Sequence, residues 1–176
     1  MKIVIAFMLT ASFFSFSATK HGHNFPEKIT LEKNTFVLNG LGMRLATWFN
    51  VKVYVGALYL NQKNNNPEEI INSKTSKIVR MAFVRDVEAG KIRSAWQAGL
   101  NDRKFEQKLT LLNSYMEDIK KSENIRIVFH ANEVSVYVKG KHKGKIQGKQ
   151  FSKGLLAVFI GDNPPNSELK NGMLGN

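Results

Sequence analysis

The chain has 176 residues, with 26 Lys and Arg against 14 Asp and Glu, four His and no Cys. That length holds one domain with at most an appendage, and 43% hydrophobic with 23% charged residues excludes a disordered or collagen-like chain. Without cysteine there is no disulfide scaffold, no Cys-ligated zinc, no iron–sulfur cluster and no thiol catalysis.

Met1-Lys2 is a short positive start, followed by an apolar run from Ile3 to Phe16 and closed by small residues at Ser15, Ser17 and Ala18. The run falls short of the ~20 residues of a membrane span. It reads as a secretory signal peptide over residues 1–17, with cleavage expected after Ser17 or Ala18. The mature protein is therefore expected to be periplasmic or secreted. Residues 18–28 read as a flexible N-terminus, and 29–176 as the folded domain.

Thr35 to Leu38 predicts a short strand, and Asn39-Gly40-Leu41-Gly42 a turn. Met43 to Trp48 and Val51 to Leu60 predict the next pair, with a turn near Asn50. On the longer strand Val51, Val53, Val55, Ala57 and Tyr59 share one face. Lys52, Tyr54, Gly56, Leu58 and Leu60 share the other. Pro67 suits the first position of a short helix through Asn72, and Lys77 to Val84 is again β-rich. Helical spacing then runs through Ile92, Ala95, Trp96 and Leu100, and continues through Phe105, Leu109, Leu112, Met116 and Ile119. Ile125 to His130 and Glu133 to Lys139 form a hairpin. Phe151, Leu155, Val158 and Phe159 mark another helix, stopped by Asp162-Asn-Pro-Pro165, with a last turn over 167–172. Strands and helices fall in blocks, which argues α+β with a mostly antiparallel sheet.

The net charge is +12, and much of it lies in Lys139, Lys141, Lys143, Lys145, Lys149 and Lys153. Such an excess attracts anions without selecting among them. No aromatic sits between Lys139 and Lys149 to stack bases, so no nucleic-acid partner is expected. The run reads as a solvated hairpin; weak contact with an anionic membrane surface is the alternative. No P-loop, dinucleotide fingerprint or Ser-His-Asp spacing is present, and neither cofactor nor metal is expected.

Two stretches carry a resemblance. Thr35-Phe-Val-Leu-Asn-Gly-Leu-Gly-Met-Arg44 followed by Val51-Lys-Val-Tyr-Val-Gly-Ala-Leu-Tyr-Leu60 resembles the opening of chalcone isomerase-like domains. Lys145-Ile-Gln-Gly-Lys-Gln-Phe-Ser-Lys-Gly-Leu-Leu-Ala-Val-Phe-Ile-Gly-Asp-Asn-Pro-Pro165, with Leu169-Lys-Asn-Gly-Met-Leu-Gly175, is similar to their C-terminal part. With Ala95-Trp96 between them, the resemblance covers roughly residues 30 to 175, and is strongest to a secreted bacterial branch. It implies an open-faced β-sandwich, a large antiparallel sheet packed against a helical layer.

Relatives include isomerases and non-catalytic fatty-acid binders, so fold alone leaves the chemistry open. The resemblance places the isomerase positions at Arg44, Tyr54 and near Val84, Val87 and Lys91. Only the Arg is kept, and Val cannot transfer a proton. Arg44 with Tyr54 resembles the pair that holds a carboxylate in the fatty-acid binders. Chemically, a guanidinium fork can take a carboxylate through two hydrogen bonds and a phenol can add a third. A turn near Asn50 sets Arg44 opposite Val55 or Gly56. In the second register Arg44 shares a face with Tyr54 and Lys52, and Gly56 leaves room for a ligand or marks a bulge. The expected protein is an exported, non-catalytic binder of a small hydrophobic carboxylate through Arg44, Tyr54, Lys52 and Gly56. An isomerase-like acid–base enzyme and a basic docking module are the alternatives.

Overall fold

The computed structural model describes residues 17–31, 33–46, 49–100 and 102–176. Nearly all of the segment read as a signal peptide lies outside the described residues. Where description begins, β1 (Ser17–Lys20) and β2 (His23–Pro26) form an antiparallel hairpin. The stretch read as a flexible N-terminus is thus ordered, and Phe25 is fully buried. One apolar residue in a polar stretch shows no periodicity, which is why the hairpin was not legible.

Seven further strands follow in an unbroken antiparallel meander: β3 (Lys28–Leu31), β4 (Asn34–Ala46), β5 (Val51–Leu60), β6 (Lys77–Phe83), β7 (Asn124–Phe129), β8 (Glu133–Val138) and β9 (Lys141–Gln147). The helices are α1 (Pro67–Asn72), α2 (Ala89–Gly99), α3 (Glu106–Ser114), α4 (Lys149–Ile160) and α5 (Ser167–Leu174). Their apolar stripes, Trp96, Leu112, Phe151, Phe159 and Leu169 among them, pack on one sheet face over Leu58, Val79, Ile127 and Val136. The opposite face carries a smaller core of Phe36, Val55, Tyr59 and Val128, which the β1–β2 hairpin covers with Phe25. Arg80 stacks over the Phe25 ring at 5.2 Å, and Lys20 Nζ donates to the Leu41 carbonyl at 3.0 Å. Both faces of the central strands are therefore buried. No helix among the described residues is long and apolar enough to cross a membrane.

Two sequence expectations change. The turn expected at 39–42 does not form: β4 runs on as one strand of 13 residues, with Asn39 as an extra residue in its pairing to β5. Helix α3 ends at Ser114, although Met116 and Ile119 keep its spacing. Ile119 instead exchanges backbone hydrogen bonds with Val87, at 2.8 and 2.9 Å. The lysine run forms the expected hairpin: Lys139 lies in the β8–β9 turn, Lys141, Lys143 and Lys145 lie on the edge strand β9, and Lys149 and Lys153 lie on α4. Lys139 and Lys143 pair with Glu117, and Lys145 pairs with Glu133 at 2.7 Å. Lysines on an edge deter pairing with another chain, and three of these six are already neutralised.

Candidate ligand-binding site

Cross-strand pairing sets the site. In the β4–β5 ladder Gly42 lies opposite Gly56, and Arg44 lies directly opposite Tyr54 rather than Val55 or Gly56. Opposite residues point to the same side, so Gly42, Gly56, Arg44 and Tyr54 all face the helices. One residue further, Leu45 pairs with Lys52, which leaves Val53 as a bulge. The bulge turns Lys52 to the other face, beside Leu45 and close enough to His21 for its charge to lower that imidazole's pKa, after the larger effect of burial. Lys52 does not join Arg44.

Gly56 offers no open space. A Cβ there would lie 2.7 Å from Leu169 Cδ1 and 3.1 Å from Met173 Sδ. At Gly42 it would come within 2.7 Å of the Leu169 Cα and collide with the Leu169 carbonyl. These glycines let α5 settle on the sheet backbone, with Gly172 of the helix equally close to Leu41 and Gly42. Room for a ligand beside Arg44 therefore cannot come from Gly56.

Arg44 and Tyr54 are both half-buried. The Tyr54 ring leans against Phe83, with centroids 5.4 Å apart, and packs on the helix-side core. Burial pushes its phenol well above a tyrosine's ordinary pKa, and the Arg44 charge pulls the other way without overcoming it. The phenol thus stays protonated and able to donate. Among the described residues, Arg44 makes no ion pair. The strand around it is held by Asn166, at the N-terminal boundary of α5. Its amide donates to the Met43 carbonyl at 2.8 Å, and its oxygen accepts from the Leu45 N–H at 3.1 Å. Asn166 sits where a helix cap belongs, yet its side chain caps no backbone N–H of α5; its oxygen serves the strand, and its amide also donates to the Glu168 carboxylate at 3.1 Å. Phe83 and Asn166 escaped the sequence reading. The only available signal was an Asn placed after Pro-Pro, which reads as an ordinary cap.

The positions matched to the isomerase machinery are scattered. Val84 packs against the outer core, Val87 against the helix-side core, and Lys91 is exposed on α2. Among the described residues no cluster of His, Asp and Glu could hold a metal.

No curated protein sequence matches significantly. Among solved structures, a fatty-acid binding protein of Arabidopsis thaliana superposes with a TM-score of 0.72 at 18% identity, over 90% of this chain and 96% of that one. At that identity the likeness speaks for the fold: a curled antiparallel sheet backed by helices. The profile of chalcone isomerase-like proteins matches residues 17–175, hairpin included. The chain therefore belongs to the chalcone isomerase-like family.

Proposed function

We propose that the protein is a non-catalytic binder of a small amphipathic carboxylate, such as a fatty acid, with the head group at Arg44 and Tyr54. One observation carries this reading. A half-buried guanidinium, with no ion-pair partner among the described residues, lies opposite a phenol kept protonated by its surroundings. A partly desolvated cation is costly without an anion, and a carboxylate supplies one with matching geometry. That the Arabidopsis neighbour is a fatty-acid binding protein supports the ligand class. The non-catalytic reading is supported by Val84 and Val87, which have no proton to give where the isomerase resemblance asks for donors.

Native mass spectrometry of freshly purified protein, followed by titration with a fatty-acid series, tests the reading. Tyr54→Phe should weaken binding by ~1 kcal/mol, about one hydrogen bond, with packing kept. If no acid binds at any chain length, the reading fails.

The proposal includes export. The apolar leader ends where the family match begins, at residue 17, which supports that reading. Intact-mass analysis from the native host should find the mature chain starting at Ala18 or Thr19. Soluble cytoplasmic protein retaining Met1 would refute it.

A further inference from the structure

We propose a second site, independent of Arg44: a pocket between the end of α1, the start of β6 and the first turn of α4 that binds a phosphate-type oxyanion. Lys74, Lys77, His130, Lys149, Ser152 and Lys153 line it, and none of its lining residues is acidic. It lies at the opposite end of β6 from Phe83, and so away from Tyr54.

Lys77 is only 4% exposed. Its ammonium donates to the carbonyls of Ser73 at 2.9 Å and Thr75 at 2.7 Å, leaving a third proton without a partner among the described residues. Burial, and then the nearby charge of Lys153, lowers its pKa to about 8. A protein that only needed the loop tied down has no reason to set further lysines around that group. Among the described residues, none of Lys74, Lys77, Lys149 and Lys153 makes an ion pair, whereas Lys139, Lys143 and Lys145 of the β9 hairpin all do. Helix α4 adds to the same field. It starts at Lys149 behind Gly148, with no side-chain cap, so its first-turn N–H groups and dipole favour negative charge.

The pocket is small, about 20 Å³. That is room for a water or two and for no acyl tail, so an oxyanion would sit at the mouth, where Lys74 and Lys149 are exposed. Several ammonium groups around one point match a multiply charged tetrahedral anion, whereas the planar fork of Arg44 matches a carboxylate.

The test titrates the full mature chain with inorganic phosphate at constant ionic strength set by chloride, following the backbone amides of Lys149, Gln150 and Phe151 by NMR. Saturable shifts are expected. Lys153→Gln and Lys149→Gln should each weaken binding about tenfold, the loss of one charged hydrogen bond. Lys141→Gln and Arg44→Ala should leave it unchanged. Lys77→Met should abolish it; if that variant does not fold, the Lys153 and Lys149 variants still decide. A second arm uses phosphatidylcholine vesicles with and without phosphatidic acid. Cosedimentation that needs phosphatidic acid and is lost in Lys153→Gln assigns the anion to a lipid headgroup, and none assigns it to a soluble phosphate. Shifts no larger than those from chloride, or unchanged affinity in Lys153→Gln, would overturn the site.

Discussion

Gly42→Ala should destabilise the fold by about 3 kcal/mol or more, at the upper end of overpacking costs. For a domain of this size that lowers the melting temperature by roughly 6–12 °C. Two effects compete. Alanine restricts the unfolded chain and would ordinarily stabilise by ~0.4–1 kcal/mol where the backbone tolerates it. Here the new methyl meets the main chain of α5 at Leu169, and no flexible side chain can swing aside. The collision outweighs the entropy gain, and α5 must lift from β4. Gly56→Ala meets only the ends of Leu169 and Met173 and should cost less. Thermal unfolding of the two variants side by side checks the order. Equal stability to the parent for Gly42→Ala would mean that α5 is not held against the sheet in this way.

Arg44→Ala should do the reverse, sparing the fold and removing the ligand. With no ion-pair partner among the described residues, its loss strands no buried acid, and stability should change by no more than ~0.5 kcal/mol. Binding of a fatty acid should weaken by ~2–4 kcal/mol, the usual cost of leaving a buried charge without its partner. That is on the order of 30- to 1000-fold in Kd. Arg44→Lys should restore only part, because a point charge lacks the two-pronged geometry. The measurement is a titration monitored by ligand fluorescence or calorimetry, beside a melting curve. Wild-type affinity in Arg44→Ala would make the guanidinium irrelevant to binding.

What could be read in advance follows from how local its cause is. Strand β5 was legible from end to end, because an apolar alternation is bounded by Asn50 on one side and Asn61 on the other. Pro67 announced α1 in the same way. Residues 39–42 misled because Asn-Gly-Leu-Gly has turn chemistry, while its glycines answer to a helix more than a hundred residues later. Met116 and Ile119 misled because spacing records which side is buried, and an extended segment buried on the same side can imitate a helix. At the site, Arg44 and Tyr54 were found through their strands and the family resemblance. The displacement of Lys52 depends on a single bulge at Val53, and nothing in Val-Lys-Val-Tyr signals it. Lys77 was equally silent: a lone lysine opening a strand gives no hint that three others gather round it.

The closure of β4 by α5 also bears on the order in which the molecule can be made. β3, with Glu27 ahead of it, pairs with β4 only as far as Leu38, so the outer edge beyond it needs other partners. Asn166 supplies them at Met43 and Leu45, and the Met173 carbonyl accepts from the Asn39 side chain at 2.9 Å. An early strand thus waits for residues more than a hundred positions further along the chain, which leave the ribosome long after it. Until α5 has been made, the stretch around Met43 and Leu45 lacks those partners, and the fold cannot lock there. For a chain exported as proposed here, that delay keeps it threadable through a translocation pore, at the cost of a sticky strand that a holding chaperone would have to shield.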